Sequence, residues 1–323
     1  MVDKNILLEI KDLQVQYPVR TGTIRGVDHV SLHVYEGETL GLVGESACGK
    51  STLGRAILRL VSEPGEIVGG QILFKNKDLL AEKEGDMARI RGKNISMIFQ
   101  DPMTSLNPLQ RIEDHFMETI RTHEKGSTKA EMLERVGAMF GNLGIQRERL
   151  TDYPHQLSGG MRQRVMIGLA LILNSDLVIA DEPTTSLDVI VEAQILDLLK
   201  ALKQDFDMTL ILISHNLGIV AELADRLAVM YAGKMVEVAP ALALFDEPLH
   251  PYTQGLLASV PNIRLEDEEL RTMTGAPPDL IDPPPGCRFH PRCAHEMERC
   301  RHEEPPYQQV RDERWTACWL YSE

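Results

Sequence analysis

No stretch of this sequence is apolar for long enough to cross a bilayer. The longest run, residues 165–180, is interrupted by Asn174, Ser175 and Asp176, and falls short of the roughly 20 residues a spanning helix needs. The opening MVDKNILLEIKD has neither an apolar core nor a small-residue cleavage site, which argues against a secretory signal. There is no basic excess either. Lys and Arg number 34 against 48 Asp and Glu, a formal charge of -14, so the overall field repels nucleic acid and anionic lipid, and no nucleic-acid partner is expected. Cysteine is scarce, five in 323 residues, and no two form a C-x-x-C pair. In a chain expected to be cytosolic these read as ligands or free thiols rather than disulfides.

What the sequence does have is a glycine-rich loop, GESACGKST, at residues 44–52. Gly44, Gly49, Lys50 and Ser51 fit the spacing G-x-x-x-x-G-K-[ST]. In such a loop the glycines let consecutive backbone N–H groups converge on a phosphate, and the following helix adds its positive end. The flanks agree with this reading. Val30, Leu32 and Val34 alternate along one strand, a turn follows at Glu36-Gly37, and residues 40–43 form a continuous apolar strand into the loop. Beyond it Leu53, Ala56, Ile57 and Leu60 recur at helical spacing. Lys50 is placed to set a point charge on the β- and γ-phosphates, and Ser51 to offer its hydroxyl to Mg²⁺. Cys48 occupies a variable position and reads as a small tolerated residue rather than a redox switch.

DLVIADEPTTSLD (176–188) reads as a buried strand ending in Asp181 and Glu182. A carboxylate at that strand end can hold a magnesium shell, and the next can polarise a water for in-line attack on the γ-phosphate. LSGGMRQR (157–164) heads an expected helix. Its Ser158, Gly159 and Gly160 supply a hydroxyl, flexible amides and a helix N-terminus, a second anion-binding end. His215 follows the apolar strand 210–213, where α/β sheets present functional groups, and Gln100 closes the strand-like ISMIFQ (95–100).

In this order the phosphate loop, ISMIFQ, LSGGMRQR, the strand with Glu182, the SLD loop (186–188) and LILISH (210–215) resemble the ATP-binding subunits of ABC transporters over about the first 240 residues. The resemblance implies ATP held by Gly44, Glu45, Ser46, Ala47, Cys48, Gly49, Lys50, Ser51 and Thr52, with Tyr17 stacked on adenine. It implies Mg²⁺ near Ser51, Gln100 and Asp181, Glu182 as general base, and His215 and Gln100 as further catalytic groups. Paired head to tail, Ser158, Gly159 and Gly160 of one subunit would close on the nucleotide of the other, with Asp188 communicating across the pair. DPMTSLNP (101–108), YPHQLSGG (153–160) and HPYTQGLL (250–257) look like the oligopeptide/dipeptide importer group, whose relatives also import nickel or oligosaccharides. The partners so implied are a second ABC ATPase subunit (a paralogue or a second copy), two transmembrane permease subunits and an extracytoplasmic solute-binding protein. The expected place is peripheral, on the cytoplasmic side of the cytoplasmic membrane. With one phosphate loop, no extended heptads and no basic tract, a soluble non-transport ABC ATPase is the weaker reading.

The expected fold is therefore an α/β P-loop NTPase domain over residues 1–240, with a mixed central sheet, an antiparallel β layer and a helical subdomain at about 101–165 that contains KAEMLERVGAMFGNLGI. A small extension follows over residues 241–323. That extension is proline-rich and holds Cys287, Cys293, Cys300 and Cys318, separated by five, six and seventeen residues. The spacing misses the common zinc-ribbon pattern and leaves zinc, an iron–sulfur cluster and unpaired thiols open. The resemblance of GCRFHPRC to the C-terminal extension of peptide-importer ATPases implies a [4Fe–4S] cluster on the four thiolates, with zinc as the alternative and His290, His295 and His302 as spare ligands.

Overall fold

The computed structural model describes residues 5–101, 105–185, 187–259 and 273–322. The chain divides into two compact units, one of Met1–Ala81 with Ile213–Glu323 and one of Glu82–Leu212.

The first unit is built on two sheets. β1 (Ile6–Val19) and β2 (Gly22–Tyr35) pair antiparallel, β4 (Glu66–Phe74) adds to the other edge of β1, and the short β5 (Lys77–Asp78) follows it, giving the order β2-β1-β4-β5. This is the expected antiparallel layer. Val30, Leu32 and Val34, alternate residues of β2, are buried as their spacing predicts. The second sheet runs β11-β12-β10-β9-β3 within this unit. β3 (Thr39–Val43) lies parallel to β9 (Arg226–Tyr231), and β10 (Lys234–Pro240) is antiparallel to β9, so the sheet is mixed. All five residues of β3 are buried, which explains its unbroken apolar character. Helix α1 (Lys50–Ile57) leaves the loop after β3.

The last strands come from the far end of the chain. β11 (Gln308–Arg311) and β12 (Arg314–Thr316) form a hairpin whose β12 pairs with β10 through Glu237–Thr316 and Val238–Trp315. The cysteine-bearing segment is thus sewn onto the edge of the mixed sheet. Buried charge fastens it further, since Arg288 donates to Asp28 and to the carbonyl of Ala232.

In the second unit β6 (Ile95–Ile98) and β7 (Leu177–Asp181) are parallel, in the order β8-β7-β6 with β8 (Thr209–Ile213). Helix α2 (Glu84–Ile90) precedes them. The expected helical region contains α3 (Ile112–His123), α4 (Lys129–Asn142) and α5 (Gly159–Leu171). Helix α4 starts at a capping box in which Thr128 and Glu131 satisfy each other's backbone N–H. Its apolar stripe, Met132, Val136, Met139 and Phe140, is buried with Phe116 and Ile120 of α3, the Phe116 and Phe140 rings meeting edge to face at 5.7 Å. The apolar run 165–180 thus divides between helix α5 and strand β7, and α6 (Val189–Phe206) follows. In the first unit the chain continues through α7 (Leu217–Leu223), α8 (Ala241–Asp246) and α9 (Pro251–Ala258).

Candidate nucleotide site

The phosphate loop leaves β3 at Gly44, whose φ of 149° only glycine adopts readily. A Cβ there would also lie 2.2 Å from the carbonyl oxygen of Met230 and 2.9 Å from Cys48 Sγ. Gly49 at φ 104° returns the chain into α1, and its Cβ would strike the carbonyl of Gly26 at 2.1 Å. Both motif glycines are thus fixed by backbone geometry alone. Lys50 is buried, and its ammonium donates to the carbonyls of Gly44 (2.8 Å) and Glu45 (2.9 Å), with Cys48 Sγ at 3.7 Å. The loop wraps around its own cation. Burial raises the Cys48 thiol above its ordinary range, against the pull of Lys50, which keeps it a small neutral filler.

Tyr17 stands beside the loop. Its hydroxyl is 3.3 Å from Thr52 Oγ1, and its ring closes against Gly26 and Gly65, where a Cβ would come within 3.0 and 2.3 Å. His215 is exposed at the turn between β8 and α7. The N–H of its neighbour Ser214 donates to Leu42 O at 3.2 Å, tying that turn to the strand that feeds the loop.

The second unit carries two carboxylates at the end of one strand. Asp181 ends β7 fully buried. Glu182 then takes a left-handed backbone, φ 48°, as the chain turns back with Thr185 N–H bonded to Glu182 O. That conformation costs a non-glycine residue about 1 kcal/mol, and it breaks the strand where a carboxylate is to be presented. Gln100 Nε2 donates to Glu182 Oε2 at 2.8 Å, and the Thr185 hydroxyl donates to the same oxygen at 2.8 Å. Residues 82 positions apart are therefore brought together. Thr185 is a contact that reading missed, and only its place inside the DEPTTSLD motif could have suggested it.

At the other end of this unit Ser158 caps α5, its hydroxyl accepting from Met161 N–H. Gly159 and Gly160 form the first turn of the helix rather than a free loop. Gly160 has a packing reason of its own, because a Cβ would meet Val191 Cγ1 of α6 at 2.7 Å. Asp188 caps α6 through Val191 N–H at 2.9 Å. Next to it Val189 and Ile190 are 80% and 73% exposed. Ser186 of the SLD loop lies outside the described residues, as do residues 102–104 of DPMTSLNP.

Cys287, Cys293, Cys300 and Cys318 line one small cavity together with His250, His290 and His295. All are free thiols. Burial raises Cys287 to about 12 and Cys318 to about 11. The donors share a cavity, but among the described residues no group of three or more His, Cys, Asp or Glu side chains is arranged to hold a metal ion. For Mg²⁺, the hydroxyl of Ser51, the amide of Gln100 and the carboxylate of Asp181 are all hard oxygen donors of the kind that ion takes.

A parallel-stranded core, a glycine loop closed over a buried lysine and a strand-end carboxylate pair define a P-loop ATPase. The comparisons agree. The ABC transporter family matches residues 27–185, and the family described as oligopeptide/dipeptide transporter, C-terminal region, matches residues 236–300. The dipeptide transport ATP-binding protein DppD of Bacillus subtilis is 48% identical over 317 residues, covering 97% of this chain and 94% of that protein. The oligopeptide transport ATP-binding protein OppD of Salmonella typhimurium is 44% identical over 317 residues, covering 98% and 94%. Among solved structures, the ATP-binding cassette MJ0796, a dimer in a post-hydrolysis state bound to ADP and Pi, superposes with a TM-score of 0.66. At 24% identity, over 72% of this chain and 98% of that one, it shows the shared fold. The chain belongs to the ABC transporter family, as an ATP-hydrolysing subunit with the C-terminal region of the oligopeptide/dipeptide group.

Proposed function

We propose that this protein couples ATP binding and hydrolysis to the import of di- and oligopeptides. What supports the solute class is similarity over nearly the whole chain to proteins named for dipeptide and oligopeptide transport, including the C-terminal region of residues 236–300. An oligosaccharide or nickel is the alternative solute.

The roles follow residue by residue. Gly44 to Thr52 cradle the phosphates, with Lys50 neutralising them and Tyr17 against the base. Ser51, Gln100 and Asp181 would hold Mg²⁺, which when bound would offset charge on the phosphoryl group under attack. Glu182 takes a proton from the attacking water. Its carboxylate is aimed by the left-handed turn and by the bonds from Gln100 and Thr185; Gln100 meets Mg²⁺ or the attacking water, and His215 touches the γ-phosphate. Two such subunits pair head to tail, the second a paralogue or another copy. Ser158, Gly159 and Gly160 of one then meet the triphosphate of the other, and the exposed Val189 and Ile190 beside Asp188 support an interface there. Binding ATP stabilises the closed pair and hydrolysis releases it.

Among the described residues no helix is long and apolar enough to cross a membrane. We place the protein peripherally on the cytoplasmic side, working with two permease subunits and an extracytoplasmic solute-binding protein. We also propose that the four C-terminal cysteines hold a [4Fe–4S] cluster, or else zinc, as a staple for a loop-rich segment; their shared cavity supports this.

The transport reading is tested by reconstituting the complete transporter in proteoliposomes. Peptide plus binding protein should stimulate ATP hydrolysis and drive peptide uptake. Stimulation by a sugar or Ni²⁺ and not by peptide would replace the solute assignment.

A further inference from the structure

Two motifs that nucleotide chemistry leaves unexplained, HPYTQGLL and GCRFHPRC, converge on a single residue of the phosphate loop. Glu45 directly follows Gly44. Its carboxylate is gripped by both arms of Arg292, Nη1 to Oε2 at 2.8 Å and Nη2 to Oε1 at 3.0 Å. Its backbone N–H donates to the hydroxyl of Tyr252 at 2.8 Å. Its carbonyl accepts from the Lys50 ammonium at 2.9 Å. One loop residue thus joins the catalytic lysine to two anchors that lie 207 and 247 positions away.

Both anchors are rigid. Tyr252 is fully buried between Tyr231 (4.5 Å) and Phe289 (5.5 Å). Its helix opens with Pro251, and the buried His250 caps it by accepting from Tyr252 N–H at 3.0 Å. The Arg292 side chain is only 5% exposed. Its guanidinium also donates to Thr274 O (3.1 Å) and Tyr231 Oη (3.3 Å) and lies against the Tyr231 and Phe289 rings. An exposed ion pair would contribute little. A bidentate pair with one partner buried and every direction constrained fixes geometry as well as charge. Arg292 in turn immediately precedes Cys293, in the short helical turn His290–Arg292.

We infer that Arg292 is a positioning residue for ATP binding. With Tyr252 it holds Glu45 in place and so sets the shape of the phosphate loop, which makes nucleotide affinity depend on the folded C-terminal extension. The inference rests on the loop binding ATP, and not on any metal at the cysteines.

The experiment uses the assembled transporter and reads KM for ATP, kcat and directly measured ATP affinity in Arg292→Ala, Arg292→Lys, Glu45→Gln and the Arg292→Ala/Glu45→Gln pair. Loss of two charge-assisted bonds predicts that Arg292→Ala raises KM and Kd for ATP by on the order of tenfold, with kcat held within about twofold. Arg292→Lys, which keeps the charge but not the fork, should fall between. The double variant should be no worse than the poorer single one. An unchanged KM in Arg292→Ala, a fall in kcat at constant KM, or additive effects in the pair would each overturn the assignment. Should Arg292→Ala not fold, Glu45→Gln leaves the extension intact and must show the same KM rise, failing which the inference is wrong. Lys50→Ala serves as the reference. If it too leaves ATP affinity unchanged, the fault lies with the nucleotide site itself and not with the brace.

Discussion

Replacing Glu182 by glutamine removes a base while keeping nearly every contact the side chain makes. Glu182 Oε2 accepts from Gln100 Nε2 and from the Thr185 hydroxyl, both at 2.8 Å. An amide oxygen in the same place accepts both bonds, so the turn and its left-handed backbone at 182 are retained, and the cost in stability should stay within about 1 kcal/mol. The chemistry does not survive the change. A carboxamide cannot take a proton from water, and positioned general bases are worth about 10²–10⁴ in rate, or roughly 3–5 kcal/mol of barrier. Phosphate release by the reconstituted transporter should therefore fall at least a hundredfold in kcat. ATP affinity should hold or improve, since a negative charge near the triphosphate is gone. With turnover blocked, the closed pair should accumulate, visible as a nucleotide-dependent shift in the mass of the isolated ATPase subunits. A Glu182→Gln variant that keeps more than about a tenth of wild-type kcat, or that loses nucleotide binding as Lys50→Ala should, would refute Glu182 as the general base.

Two further outcomes follow from local chemistry. His33 is half-buried, with Arg226 Nη2 3.2 Å from its Nε2, and burial first and then Arg226 lower its pKa to about 4. Because the unfolded chain takes up this proton near its ordinary value of about 6.5, the neutral ring favours the folded state fully above that value. The advantage shrinks as pH falls toward 4. Discounted for its partial exposure, the loss at pH 5 is about 1 kcal/mol, and it should vanish from the difference in urea midpoint between pH 7 and pH 5 in His33→Gln. For the cysteines, anaerobic purification with metal analysis and a visible spectrum should give about four irons per chain and a brown protein. A colourless protein with one zinc would replace the cluster, and one with neither metal would remove both.

Much of the catalytic half was legible because each part is local. Gly44 to Ser51 lie within eight consecutive positions, and the strand before them and the helix after them are readable from apolar spacing alone. Helix α4 was equally plain, since its stripe and its capping box both lie in a single stretch. Ser158 and the two glycines after it were legible as a helix head, but the packing that fixes the second glycine was not. Gly160 is small because α6 passes 2.7 Å from where its Cβ would be, a reason that exists only once two helices have packed. Thr185 was passed over because a hydroxyl among several in a loop carries no mark of the carboxylate it will meet.

The C-terminal extension marks the division most sharply. From composition it is a proline-rich segment with four thiols, and its motifs are words without a sentence. Folding adds its hairpin to the edge of β10, places Arg288 on Asp28, and brings Arg292 and Tyr252 to Glu45. Residue order by itself determined which loop has the phosphate-binding pattern, which strand ends in acid and which helices have an apolar side, because those depend on neighbours within a few positions. Tertiary structure alone decided that Gln100 meets Glu182 and that the end of the chain holds its phosphate loop. Those contacts close over 82 and 247 residues, and no periodicity reaches that far.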